Sequence, residues 1–174
     1  MLRYQGRLYR ALNVIWQLEP LSGAGAEMYG GRFNAKGTPA LYTSFDLATA
    51  IRESMQDLPL QPTTVVSFIA DIADLADLST PELVRDAGAS MEQLTDPNWR
   101  EEMDRLGTSA SQRLAAVFIA KGFSGMKVRS FAPGSTAADF NLVLWKWGDT
   151  LPYQLKLVDD QNRLLTLASR SPQS

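Results

Sequence analysis

Residues 30–53 read GGRFNAKGTPALYTSFDLATAIRE, and the order of residue types within them sets the local architecture. After Pro39, the run ALYTS predicts a short strand ending at Ser44. Asp46 then stands where a helix N-cap belongs, and its helix is expected to run to about Leu58, with Pro59 as the stop. Leu47, Ala50, Ile51, Ser54 and Leu58 share one face of that helix, which puts Glu53 at the edge of the face. In front of the strand, Gly30 and Gly31 allow close backbone approach, and Asn34 favours a turn. A guanidinium at Arg32 in that setting suits a paired contact with phosphate, although a surface arginine in a flexible loop is an equal reading of position alone. Glu53 by itself reads as an exposed helical carboxylate. The strand delivers the chain straight into its helix, so Tyr42 and Glu53 can line one cleft.

Outward from this stretch, GRLYRAL predicts a strand over Leu8 to Leu12, with Tyr9 and Arg10 on opposite faces. Residues 19–37, carrying Pro20, Gly23, Gly25, Gly30, Gly31 and Gly37, read as a long loop, which in a compact domain is either functional or mobile. TTVVSFIAD reads as a buried strand. TPELVRDAG reads as a short helix with Thr80 as cap and Pro81 in its first turn, and SASQRLAAVFIAKG as a longer helix closed by Gly122. GMKVRSF alternates as a strand, with Met126, Val128 and Ser130 on one side and Lys127, Arg129 and Phe131 on the other. FNLVLWKW is a further strand, and YQLKLVDDQNRLLTLAS predicts a closing hairpin turned at Asp160 to Asn162. Several strands follow one another without a helix between them, which argues against a purely doubly wound βαβ sheet. The expectation is an α+β domain with a mixed or antiparallel sheet and flanking helices, spanning residues 1–168, followed by a polar tail at 169–174.

The 174 residues suffice for one core without disulfide or metal staples. Hydrophobic residues make up 45% and charged residues 21%, which places the chain among ordinary globular proteins. A formal net charge of -2 argues against a sequence-independent grip on nucleic acid, which needs a basic face. The chain has no cysteine and no histidine. Thiol nucleophiles, Ser-His-Asp arrangements and the usual zinc sites are thereby excluded, leaving Glu, Asp, Arg, Lys, Ser, Thr and Tyr to carry any chemistry. The charged N-terminus does not resemble a signal peptide, and no apolar run approaches 18 residues, so a cytoplasmic protein is expected.

Other motifs read as structural. GAGAEM at 23–28 has Met28 where a dinucleotide fingerprint needs its third glycine, and no strand precedes it. Asp71, Asp74 and Asp77 lack the spacing and the glycine turn of a calcium loop. Trp145 and Trp147 suit packing better than ligand stacking. Ser130, without a histidine, has no ordinary activating base.

Taken in order, Tyr9-Arg10, residues 30–53 and VRSFAPGSTAADFNLVL at 128–144 resemble the RES domain family, named for its Arg, Glu and Ser. Residues 59–120 carry little of the likeness. Phe33 stands where the family pattern Gly-Gly-Arg-Trp-Asn has tryptophan, and Arg129-Ser130 stands where the family has Pro-Ser. The resemblance implies Arg32, Glu53 and Ser130 as catalytic residues, and Arg10, Arg32, Tyr42, Ser130 and Asn141 as nucleotide-binding ones. It further implies an ADP-ribosyltransferase-like core and a bacterial toxin that splits the nicotinamide–ribose bond of NAD+, without a metal. ADP-ribose would pass to water, phosphate or a protein target, and a helical, DNA-binding, Xre-like antitoxin would block the cleft. That chemistry suits a chain without thiol or imidazole, because nicotinamide is a good leaving group and the transition state is a ribosyl oxocarbenium. The residues alone are equally compatible with a non-catalytic nucleotide- or partner-binding module using the same cleft.

Overall fold

The computed structural model describes residues 1–56 and 61–170. In chain order the elements are β1 (Leu2–Asn13), a 3-10 turn (Val14–Trp16), α1 (Ala24–Tyr29), β2 (Leu41–Ser44), α2 (Leu47–Ser54), β3 (Thr63–Asp77), α3 (Pro81–Asp86), α4 (Met91–Thr95), α5 (Trp99–Leu106), α6 (Ala110–Ala120), β4 (Gly125–Arg129), β5 (Phe140–Leu144), β6 (Tyr153–Leu157) and α7 (Arg163–Arg170). The six strands form one sheet in the order β1-β2-β5-β4-β3-β6, and β1 also pairs with β3. All the pairings between these strands are antiparallel except β3 with β4. The expected α+β class, with a mixed sheet and flanking helices, is therefore the observed one.

The extra β1–β3 pairing returns the strand order on itself. β3 can serve several partners because it is long: Phe68 to Ile72 pair with β6, while Leu75 to Asp77 pair with β4. Asp74, with φ 57, sits at the changeover, and the register of β1 against β3 shifts opposite this point, between Leu2 and Tyr4. A residue in the left-handed region kinks a strand, and the kink lets one edge of β3 change partner. The three aspartates of β3 have local partners: Asp71 pairs with Arg3, Asp74 accepts from the Tyr153 hydroxyl, and Asp77 accepts from Ser79 and Lys127.

Two cores lie on either side of β5, and the alternation of its side chains assigns them. Leu142 and Leu144 join Leu8, Leu41, Phe68, Ile72, Leu75 and Leu155 on one face. Val143 and the following Trp145 join Met126, Val128, Leu114, Phe118, Val84 and Leu94 on the other, beneath α3, α4 and α6. Each fully buried Leu or Phe contributes about 1.5–3 kcal/mol, so these two clusters carry the fold.

Several segments differ from the sequence expectation. TTVVSFIAD is buried on one face only: Phe68 and Ala70 are inside, whereas Val65 and Ile69 are exposed. The long loop at 19–37 contains α1. The expected closing hairpin is β6 followed by a helix: the turn at Asp160 to Asn162 is present, but the Asp159 carboxylate accepts from the main-chain N–H groups of Arg163 and Leu164 at 2.8 and 3.1 Å. That cap starts α7 where a return strand was expected. Helices α4 and α5 carry a capping box (Ser90 with Gln93) and a left-handed Gly107 stop, signals present in the sequence and not used above. The predicted stop at Leu58–Pro59 and residues 171–174 of the polar tail lie outside the described residues. Among the described residues, no helix is long and apolar enough to cross a membrane.

Candidate functional site

The Asp46 side chain accepts from Thr49 N at 2.9 Å and starts α2, as expected. Only part of the predicted face of α2 is buried. Leu47 is 47% exposed and Ser54 is also exposed, whereas Thr49 and Ala50 are buried. The helix is turned by a polar anchor: the Asp139 carboxylate receives Arg52 Nη2 at 2.9 Å and shares the Thr49 hydroxyl, 2.9 Å away, with Asp46 Oδ2 at 2.5 Å. Asp139 also accepts from the main-chain N–H of Thr136 at 2.6 Å, so the segment 130–139 is tied to α2. These donors, Thr136 first and Arg52 next, hold the Asp139 carboxyl well below the usual carboxylate range. With Thr49 and Arg52 directed at Asp139, the neighbouring Glu53 is brought inward instead of lying at the edge.

Glu53 Oε1 accepts from Ser130 Oγ and from Asn141 Nδ2, both at 2.5 Å, and Oε2 accepts from Gln56 Nε2. Ser130 is 77 residues from Glu53 and Asn141 is 88. Behind them, Ser130 Oγ lies 2.7 Å from Ser135 Oγ, and Ser44 Oγ donates to Asn141 Oδ1 at 2.6 Å.

Glu53 opens into a cavity of about 660 Å³ whose wall includes Tyr9, Arg10, Gly31, Arg32, Tyr42, Trp99, Arg100 and Asn141. The size falls within the range of roughly 300–1,000 Å³ usual for small-molecule sites. Tyr9 and Arg10, expected on opposite faces, both reach this wall. β1 meets β2 only through the pair Tyr9↔Ser44, and the sheet opens there.

Arg32 Nη1 donates to the carbonyls of Leu94 and Asp96 at 3.4 and 3.2 Å. Its guanidinium carbon lies 4.6 Å from the Phe131 ring centroid and 5.8 Å from that of Trp99. Burial pushes Arg32 below its ordinary value, the charge of Glu53 opposes the shift, and neighbouring Arg100 adds to it. Arg10 Nη1 donates to the carbonyls of Pro20 and Ser22 at 2.7 and 3.1 Å, and burial pushes this guanidinium down to about 10. A buried cation is stabilised by an anion. The reading of Arg32 as a free surface arginine does not hold.

The glycine-rich approach has a different basis from the one its sequence suggested. A Cβ on Gly31 would come within 2.4 Å of the Tyr42 hydroxyl oxygen, so this glycine makes room for Tyr42. The hydroxyl donates to Asn34 Oδ1 at 2.7 Å and accepts from Phe33 N at 3.0 Å, and burial pushes it well above the ordinary tyrosine value. Asn34 is no exposed turn residue. It is 1% exposed, and its Nδ2 donates to the carbonyls of Ala26 and Thr38, each at 2.8 Å. Gln112, on α6, adds donors to the carbonyls of Gly31 and Asn34 at 2.9 and 3.1 Å. The loop that presents Arg32 is therefore stapled at both ends by buried amides.

Of the expected site residues, Arg10, Arg32, Tyr42, Glu53 and Asn141 share this one cavity. Ser130, expected also to touch the nucleotide, is 9% exposed, stands behind Glu53 and is absent from the wall formed by the described residues. Trp99, Phe131, Ser44, Ser135 and Gln112 were not anticipated. Ser44, Phe131 and Ser135 lie inside the stretches that resemble the family, but nothing local distinguishes them.

The sequence profile of the RES domain matches residues 7–164. The chain belongs to the RES domain family. Its fold agrees with that of a chain in the crystal structure of the M. tuberculosis MbcT–MbcA toxin–antitoxin complex, with a TM-score of 0.62 over 90% of this chain and 83% of that one, at 22% identity. No curated protein matches the chain. Arg32 and Glu53, which the resemblance implied as signature residues, lie on the cavity wall, and Ser130, the third, is hydrogen-bonded to Glu53.

Proposed function

We propose that this RES domain is the toxin of a toxin–antitoxin pair and cleaves the nicotinamide–ribose bond of NAD+, passing ADP-ribose to water, phosphate or a protein nucleophile. The observation that carries the reading is the placement of Glu53, fixed by two short hydrogen bonds, on a cavity wall shared with Arg32 and Arg10. A dinucleotide whose ribose develops a cation needs negative charge beside the sugar and positive charge beside the diphosphate, and the cavity supplies both.

In this reading the Glu53 carboxylate hydrogen-bonds the nicotinamide-side ribose and stabilises the cation that develops at its anomeric carbon. The C–N bond breaks, its electron pair leaves with neutral nicotinamide, and the acceptor's lone pair forms the new bond as its proton departs. Arg32 meets the diphosphate through the part of its fork not used on Leu94 and Asp96, with Arg10 adding charge from β1. The Tyr42 ring packs the ribose or nicotinamide, and Asn141 and Ser130 orient Glu53. An antitoxin partner is supported by the complex in which the similar fold occurs, and it would act by covering this cavity.

The test is incubation of the purified chain with NAD+ labelled in the adenine, in buffer, with phosphate, and with lysate. Release of nicotinamide supports the reading. The label then identifies the acceptor, as free ADP-ribose, its phosphate or a protein band. NAD+ that binds and survives long incubation would leave a binding module in place of an enzyme.

A further inference from the structure

The two donors that reach Glu53 Oε1 are each backed by a serine hydroxyl. Ser130 has a single hydroxyl proton, and at 2.5 Å from Glu53 that proton belongs to the carboxylate. The 2.7 Å contact with Ser135 is then a bond that Ser135 donates, and Ala132 N donates to Ser130 Oγ as well, at 3.3 Å. Asn141 presents Nδ2 to Glu53, so its Oδ1 faces away and meets Ser44 Oγ at 2.6 Å. Ser44 is 3% exposed, so its hydroxyl is largely shielded from solvent. Thr43 and Ser44 of β2 pair with Leu142 and Asn141 of β5, which fixes this contact by strand register. Both chains of bonds run the same way, Ser135 to Ser130 to Glu53 and Ser44 to Asn141 to Glu53, and successive bonds in one direction polarise each other.

The geometry points to Ser44 and Ser135 as positioning residues, each holding one donor of Glu53 in its donating orientation. Ser135 is absent from the cavity wall formed by the described residues, and Ser44, although on that wall, gives its hydroxyl to Asn141 Oδ1: they act through Ser130 and Asn141. Their kinetic consequence rests on the proposed NAD+ cleavage, but the hydrogen bonds themselves do not.

The experiment uses the full chain, with Ser44→Ala, Ser44→Thr and Ser135→Ala, each checked for folding by thermal melting. In nicotinamide release, Ser44→Ala and Ser135→Ala should each lower kcat about three- to tenfold while KM changes less than about twofold, and Ser44→Thr, which keeps the hydroxyl, should restore kcat. The Ser135→Ala loss should vanish in a Ser130→Ala background and the Ser44→Ala loss in an Asn141→Ala background, as pairs acting in series require. Losses that simply add, or that appear only in KM, overturn the inference. A second readout needs no turnover: the Asn141 side-chain amide protons, followed by nuclear magnetic resonance, should shift in Ser44→Ala and return in Ser44→Thr. Should the wild type release no nicotinamide, the functional reading falls while this resonance still decides the Ser44 arm. An unmoved resonance overturns that arm.

Discussion

Glu53, on one wall of the cavity, is held by side chains, whereas Arg32 and Arg10, on the other, are held by main-chain carbonyls. The acid receives Ser130, Asn141 and Gln56. The guanidiniums give Nη1 to Leu94 and Asp96, and to Pro20 and Ser22. Side-chain donors can be removed one at a time by substitution, so the acidic wall is sensitive to single residues. Carbonyl acceptors survive any substitution that keeps the backbone path, so the basic wall depends on where α4, α5 and the 19–23 segment run. The two walls also differ in origin. The acidic wall is built from the stretches that carry the family likeness, while Leu94, Asp96 and Trp99 come from the part that carries little of it.

The largest expected effect falls on the acidic wall. Glu53→Gln keeps the size of the side chain and removes its charge, and one preorganised electrostatic contact is worth about 3–4 kcal/mol in a transition state. Nicotinamide release should fall about a hundred- to a thousandfold with the fold intact; near wild-type turnover would remove Glu53 from the chemistry. On the basic wall, Arg32→Lys keeps the charge but loses the planar fork that lies over Phe131 and Trp99. A charge-assisted hydrogen bond is worth about 1.5–3 kcal/mol, so NAD+ binding measured by calorimetry should weaken about ten- to a hundredfold. Unchanged affinity would mean that Arg32 does not meet the ligand.

Gly31→Ala tests the join between the walls. Its Cβ would overlap the Tyr42 hydroxyl, and overpacking of this kind costs about 1–3 kcal/mol. The melting temperature should drop, and Gly31→Ala should cost less in a Tyr42→Phe background than in the wild type, because the nearest overlap is gone while those with Asn34 Oδ1 at 2.7 Å and Tyr42 Cζ at 2.9 Å remain; a Gly31→Ala variant that melts like the wild type would show that the space is not the reason for the glycine. The smallest effect is expected at Asp139, whose carboxyl is held low by Thr136 and Arg52. The folded chain therefore binds that proton more weakly than the unfolded chain does. Its stabilising contribution is present above the unfolded carboxyl value of about 3.9 and is lost as pH falls toward the folded value. Acid unfolding followed by circular dichroism should be less steep in Asp139→Asn than in the wild type, and superimposable acid limbs would contradict this.

How far the sequence could be read follows from the range of the forces involved. Asp46 as a cap, the strand at Leu41–Ser44 and the helix after it were legible because each depends on neighbours within four residues. The face of α2 was read only in part: Ala50 is buried as expected, but periodicity weighs Leu47 as a core residue, while a polar anchor at Asp139, far along the chain, buries Thr49 instead. The last segment was misread as a strand because its leucines were weighed above the Asp159 cap.

The composition alone determined that no thiol or imidazole could serve here, and the spaced motifs alone carried the likeness to the RES family. What the tertiary structure decided is everything that needs a partner far away in sequence: that Glu53 points inward, that Ser130 stands behind it, and that Arg32 is buried among Phe131, Trp99 and two carbonyls. The reason is geometric. A hydrogen bond forms only when donor and acceptor come within about 3 Å, and for residues some 60 to 100 positions apart that distance is set by the order of strands in the sheet, which no local pattern encodes.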